Sequence, residues 1–406
     1  MEPEAQTQVG TATSSDERGK IAAIRAEMPA TQKYAYFNTG TNGPLPRRSH
    51  EAMSDYARRE LEDGRISPES FPRLMGCLAS GRVAMAGVLG CDPAEIALTH
   101  NTTEGMNIAL MGLDWHPGDE VVTATTEHAG GLYPVYLLRQ RYGVKIRMTE
   151  IGLKDRDPVE ELHRVLSPRT KAVVLSHVSW ATGMALPMRE LADLAHSVGA
   201  LLICDAAQSC GMTPSNVYTL GVDAYACSGQ KWLCGPDGTG ALFVPRRRWG
   251  DIQQTFIAYW GVQHGMSDFE GHYVPPANAS RYETATLYPA GLHALTTSLR
   301  WIGEELGWEW VYRRIATLGR YCYDALATLD GVTLFTPADH MAGLVHFAVE
   351  GIPPADLVKK LLAENIIIRD TPSPVANRVA TGFYNTEEEI DRLVAAIRQI
   401  MSQQSI

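Results

Sequence analysis

The chain has 406 residues, a formal charge of −10, and 45% hydrophobic against 20% charged residues. That length exceeds what one hydrophobic core fills, so two structural units are expected. The acidic balance, with no clustered lysine and arginine run beyond the three arginines at 246–248, excludes a nucleic-acid footprint. No apolar run approaches the roughly 18 residues of a membrane span.

Residues 1–20 are polar and lack the apolar stretch of a secretion signal, so residues 1–30 read as a disordered or loosely packed tail on a cytoplasmic protein. Seven cysteines without a Cys-x-x-Cys, and twelve histidines without zinc-like spacing, give neither a disulfide framework nor a metal site. From 120 to 244, short apolar runs alternate with helical stretches. "EVVTA" (120–124), "VKIRMTEI" (144–151), "KAVVLSHV" (171–178), "ALLICD" (200–205), "DAYACS" (223–228) and "GALFV" (240–244) read as strands. "PMRELADLAHSVG" (187–199) has helical spacing and ends in a glycine. Strands apolar on both faces, alternating with helices, mean a mainly parallel sheet covered by helices. The last two runs lie close together, so one is expected to be an antiparallel addition. Residues 250–290 are rich in Gly, Pro, Tyr and His and read as long functional loops. Beyond them come a helical region to about 330, "GLVHFAV" (343–349), a helix near 354–364, "NIIIRD" (365–370) and a closing helix from 386. The expected organisation is an α/β unit over 31–290, whose first residues pack on a smaller α+β unit over 291–406.

Ligands of open α/β sheets bind outside the carboxyl ends of the strands. Three polar groups stand at such ends: Asp205 after "ALLIC", Ser228 with Lys231 after "DAYAC", and Thr102–Thr103 opening the helical run "TTEGMNIALMGL". Alone, each has an ordinary reading; Thr102 and Asp205 would be helix caps and Lys231 a surface lysine. Together they say more. A carboxylate in a dry cleft keeps a pyridine nitrogen protonated, and a desolvated lysine forms a Schiff base with an aldehyde. A hydroxyl-lined helix N-terminus holds a phosphate. That set describes a pyridoxal phosphate site. A nicotinamide-dependent dehydrogenase is the poorer alternative, since no G-x-G-x-x-G opens a first strand–helix turn and "GPDGTG" (235–240) precedes a strand.

These residues resemble the class V aminotransferase family of pyridoxal phosphate enzymes (fold type I), nearest to its isopenicillin N epimerase-like and cysteine desulfurase-like members. The resemblance runs from about residue 34 to 400 in ordered motifs. "YFNTGTNGPLP" (36–46) resembles the substrate-side loop, which implies a substrate role for Asn38. "HNTTEGMN" (100–107) is similar to the phosphate helix, with Thr102 and Thr103 as binders. "TTEHAGGLYP" (125–134) carries His128, implied to stack on the cofactor ring. "CDAAQSCG" (204–211) carries Asp205 for the ring nitrogen and Gln208 for the ring oxygen. "SGQKW" (228–232) carries Ser228 for the phosphate and Lys231 for the Schiff base. "RYETAT" (281–286) implies that Thr286 reaches the phosphate of a neighbouring subunit, hence a homodimer. "IIIRDTPSP" (366–374) places Arg369 where the family binds the substrate carboxylate.

Departures from the desulfurase-like pattern shape the functional expectation. Gln230 stands where desulfurases have a histidine, Trp180 stands where they often have asparagine, and no cysteine follows Cys322. The persulfide nucleophile is therefore missing, and Trp180 adds a stacking surface for a substrate. The expectation is an enzyme of specialised metabolism acting on a modified amino acid, such as a cysteine conjugate. Through an external aldimine, Cα deprotonation would lead to β-elimination (C–S lyase) or epimerisation. The alternatives are transamination, decarboxylation-coupled oxidative deamination, or a catalytically silent cofactor-binding protein.

Overall fold

The computed structural model describes residues 15–403. Strand β1 (Ala35–Tyr36) precedes a seven-stranded sheet built from β2 (Ile96–Thr99), β3 (Glu120–Ala124), β4 (Lys145–Thr149), β5 (Thr170–Ser176), β6 (Leu201–Asp205), β7 (Ala224–Ser228) and β8 (Gly240–Phe243). Their order across the sheet is β2-β8-β7-β6-β5-β3-β4. Neighbours from β7 to β4 run parallel, while β8 is antiparallel to both β7 and β2. The antiparallel addition read from the sequence is thus β8. The sequence reading omitted β2, whose "IALT" is too short to show a period.

Alternation along the strands divides the apolar residues between two cores. Leu202, Cys204, Tyr225 and Phe243 face one core with Leu292, Leu295 and Leu299 of the helix Pro289–Arg300. Leu201, Ile203, Ala224 and Leu242 face the other, against Ile108 and Leu138. Edge strand β4 carries exposed Lys145 and blunts that edge with charge. At the opposite edge, the backbone N–H of Leu98 donates to Glu283 Oε1 at 2.9 Å. Arg82 grips the same buried carboxylate at 2.9 and 2.6 Å.

A second sheet, in the order β12-β13-β10-β9, is antiparallel and comprises β9 (Val332–Leu334), β10 (Leu344–Val349), β12 (Arg369–Pro372) and β13 (Val375–Ala380). Helices Trp308–Ala327, Pro354–Ala363 and Glu387–Ser402 close its core through Leu318, Leu357, Leu361, Leu393 and Ile397. The last helix opens with a reciprocal Thr386–Glu389 capping box. "NIIIRD" does not form one strand. Its first half is β11 (Ile366–Ile367), which pairs parallel with β1, and Arg369 begins β12.

Two expected boundaries move. The helix Ser15–Glu27 is ordered, and Ile24 and Met28 are 2% and 0% exposed in a cluster with Trp232 and Tyr384. A loose tail through residue 30 therefore fails for residues 15–30; residues 1–14 lie outside the described part. The expected start of the second unit at 291 falls inside a helix that belongs to the large-sheet core. The change of core comes at the π-helical segment Trp301–Leu306.

Glu283 is buried and satisfies both a sheet edge and an arginine, so removing its carboxylate strands both. Glu283→Ala is expected to cost about 3 kcal/mol. Urea unfolding with an unchanged m-value checks this.

Candidate active site

Eight stretches of the chain meet above the carboxyl ends of β5, β6 and β7. Gly40, Thr41, Asn101, Thr102, Thr103, His128, Trp180, Asp205, Gln208, Ser228, Gln230, Lys231, Arg369 and Arg378 line one cleft.

Lys231 is presented by a turn that leaves β7 at Ser228. Gly229 N donates to Thr239 O at 2.8 Å, and Gly235 N returns a bond to Gly229 O at 2.8 Å. A Cβ on Gly229 would stand 2.2 Å from Thr239 Oγ1, so the turn closes only around glycine there. The loop after β1 seals the other side, where Gly43 N donates to Gln230 O at 2.8 Å. Burial pulls the Lys231 amine down to about 8, with Arg378 and Arg369 pushing the same way against the opposing pull of Asp205.

Asp205 ends β6 and is 4% exposed. Its Oδ1 accepts from Ala207 N at 2.9 Å, leaving Oδ2 for another partner. The helix Thr102–Met111 is capped by Asn101, whose side chain accepts from Glu104 N at 2.9 Å. The cap is therefore Asn101 rather than Thr102, which frees the Thr102 hydroxyl. Thr102 Oγ1 and Ser228 Oγ are both buried without a hydrogen-bond partner. Two orphaned hydroxyls beside the positive end of a helix are a cradle for an anion. With a half-buried amine and a buried carboxylate in the same cleft, the residues present fit pyridoxal phosphate.

The other expected site residues divide. His128 caps the helix Ala129–Tyr142 by accepting from Gly130 N at Nδ1 (3.0 Å). Burial and the neighbouring Lys231 and arginines lower its pKa, so it is neutral with its proton on Nε2. Its ring meets Trp180 edge to face at 5.0 Å. Trp180 is held through its carbonyl, which accepts from His346 Nε2 at 2.8 Å, and its own Nε1–H is buried and unpartnered. Gln208 is already engaged within the chain: Nε2 donates to Gly40 O at 2.9 Å and Oε1 accepts from Trp232 Nε1 at 3.0 Å. Asn38 does not line the cleft. Its Oδ1 accepts from Thr41 Oγ1 at 2.7 Å, and Thr41 is the lining residue. Thr286 lies outside the cleft, in a separate one with Tyr259 and Trp260. Its φ of 60° is left-handed, a rare state for a β-branched residue.

The sequence reading missed Arg378. It stands opposite Arg369 in the β12–β13 ladder and is 1% exposed. Both guanidinium groups donate to Thr41 Oγ1, at 3.0 Å from Arg378 and 3.1 Å from Arg369. Among the described residues neither has a carboxylate partner. Burial and Arg369 bring the Arg378 pKa down to about 9. A charge inside the apolar run "VANRVA" was the available signal, because buried arginine needs an anion.

A sequence profile of the aminotransferase class-V family matches residues 36–393. A probable cysteine desulfurase of Methanothermobacter thermautotrophicus is 26% identical over 93% of this chain and 97% of its own length. A cysteine desulfurase of Haloferax volcanii is 30% identical over 75% of this chain and 74% of its own. Among solved structures, the cystine C–S lyase C-DES in complex with its product cysteine persulfide superposes with a TM-score of 0.85 at 30% identity, covering 91% of this chain and 98% of that one. A C-DES variant with glycine covalently linked to its PLP cofactor gives 0.86 with the same identity and coverage.

Arg378 is a buried cation without an acid, so its removal is expected to relieve the chain when no anion is present. Arg378→Met should leave the ligand-free fold as stable, or about 1–3 kcal/mol more stable, by thermal denaturation. The ordered fold-type-I sheet, the cleft and the profile match agree: the chain belongs to the class V aminotransferase family.

Proposed function

We propose that this protein is a pyridoxal phosphate enzyme that breaks the Cβ–S bond of a sulfur-containing amino acid by β-elimination. The observation that carries this reading is a cleft holding an amine, a carboxylate and paired arginines, but no thiol. The seven cysteines are Cys77, Cys91, Cys204, Cys210, Cys227, Cys234 and Cys322, and none lines it. Burial pushes Cys77 up to about 11 and Cys234 and Cys322 up to about 12. Transfer of sulfur to an enzyme thiolate therefore has no nucleophile among the described residues. Loss of the sulfur group as a leaving group needs none.

When bound, pyridoxal phosphate supplies an electron-withdrawing ring that stabilises negative charge at Cα of an attached amino acid. Thr102, Thr103, Ser228 and the helix N-terminus would hold its phosphate, and Asp205 would keep its ring nitrogen protonated. Lys231 would hold its aldehyde, and its Nζ would accept the Cα proton of the substrate. An amine near 8 is a base matched to neutral pH. Arg378 and Arg369 take the substrate carboxylate; paired guanidinium groups suit it geometrically and end the unpaired burial of Arg378. Neutral His128 covers the cleft and offers Nε2–H. Trp180 narrows the substrate side and adds an aromatic face.

L-Cystine and S-substituted cysteines are the substrates to test, with products read by mass spectrometry. Elimination releases pyruvate, ammonia and a persulfide or thiol. Alanine with sulfide would mean desulfuration. Inverted substrate, a keto acid retaining sulfur, or an aldehyde would mean epimerisation, transamination or decarboxylation, and each would overturn the reading.

The working unit in this proposal is a homodimer in which Thr286 serves the partner's phosphate. Supporting it are the strained Thr286 backbone and the exposed Phe256, Tyr259 and Phe269 in the adjoining loops. Sedimentation velocity should give twice the chain mass. Thr286→Ala should weaken cofactor binding about tenfold, the loss of one charge-assisted hydrogen bond.

A further inference from the structure

Behind the cleft lies a second carboxyl group. Glu127 immediately precedes His128 and is 6% exposed. Its Oε1 accepts from Ser176 N at 2.8 Å, and Oε2 bonds Ser176 Oγ at 2.7 Å. Ser176 ends β5 and stands opposite Asp205 in the parallel ladder. Both acids also face the first turn of the helix that His128 caps. From the point where a Cβ on Gly131 would sit, Asp205 Oδ2 is 3.4 Å away and Glu127 Oε2 is 3.9 Å away. Two carboxyl groups therefore share one water-excluded volume. Asp205 has Lys231 as its counter-charge; among the described residues Glu127 forms no ion pair.

We propose that Glu127 is a positioning residue for the cofactor's ring: it retains the proton of this two-carboxyl pocket, so that the negative charge stands on Asp205. Like charges in a dry pocket disfavour double ionisation, and the proton settles where no cation is near. Glu127 meets that condition. Burial raises its pKa to about 8, with Asp205 pushing the same way and the Ser176 bonds opposing. The other titratable neighbours of the pair are Cys204, whose thiol burial and both carboxylates push far up, and neutral His128. The protonated acid also fixes Ser176, and with it the end of β5 beside the end of β6. An ionised Glu127 would put a second negative charge beside Asp205, which the dry pocket disfavours.

This inference rests on the pyridoxal phosphate reading of the cleft, and the test separates the two. Infrared spectra of the full chain, with and without pyridoxal phosphate, are followed against pH for the carbonyl stretch of a protonated carboxylic acid. The wild type is expected to show the band at pH 7 and lose it as pH rises through about 8. Glu127→Gln removes the band while keeping the fold, seen by circular dichroism. Asp205→Asn deletes the repelling charge. Its band should therefore vanish at lower pH, by about one unit or tenfold in proton affinity. Loading the wild type should shift the band the same way, because a protonated ring nitrogen neutralises Asp205. A missing band, a band that survives Glu127→Gln, or a midpoint indifferent to Asp205→Asn would overturn the proposal. Failure to bind pyridoxal phosphate, read from the visible spectrum, would overturn the cofactor reading and leave the band measurement intact.

The sign carries over to stability. A carboxyl raised from its ordinary value of 4.5 contributes fully below that pH, and the contribution is lost as pH rises through about 8. Glu127→Gln should flatten that part of the melting-temperature profile.

Discussion

The cleft is organised by the desolvation of positive charge. Lys231, Arg369 and Arg378 converge on one cleft, and Asp205 is the carboxylate among its lining residues. Much else follows from this imbalance. Burial, aided by the neighbouring cations, brings the Lys231 amine down to about 8 and keeps His128 uncharged, and both arginines rest on a single threonine hydroxyl for want of an acid. Such an excess of positive charge favours anions in the cleft. The orphaned Thr102 and Ser228 hydroxyls belong to the same logic, since they are donors without an acceptor.

Strand ends were the most legible part of the sequence. Asp205, Ser228 and Lys231 follow apolar runs whose burial on both faces is written in composition, and the parallel arrangement brings their carboxyl ends to one side. Arg378 was not legible in that way. Its meeting with Arg369 depends on the register of β12 against β13, and its burial on the loop of Thr41 more than three hundred positions earlier in sequence. Glu127 was masked by its neighbour His128, because nothing local tells which of two adjacent polar residues turns inward. Gln208 and Asn38 were placed near the cleft by motif, yet their hydrogen bonds run to Gly40, Trp232 and Thr41. Such pairings join distant segments and leave no trace in local spacing.

The thiols show how burial selects chemistry. Seven cysteines in a family rich in sulfur enzymes suggest reactive groups, but six are buried and Cys91 is half-buried. In apolar surroundings a thiol stays protonated and behaves as a small hydrophobe. Cys227 and Cys204 line the same core as Phe243 and Leu295, where they fill volume beneath the strands that carry Ser228 and Asp205.

The segment from Ala35 to Gly43 touches both sheets. At one end β1 is zipped to β11 of the C-terminal part, and Ala380 N donates to Phe37 O at 2.9 Å. At the other, Gly43 is bonded to the lysine turn. Between these anchors Thr41 receives both arginines. The segment is therefore a short taut tether, and a shift of the arginine-bearing strands relative to the large sheet must be taken up within those few residues. The position of the two arginines is in this way mechanically geared to that of the amine, over a lever only eight peptide units long.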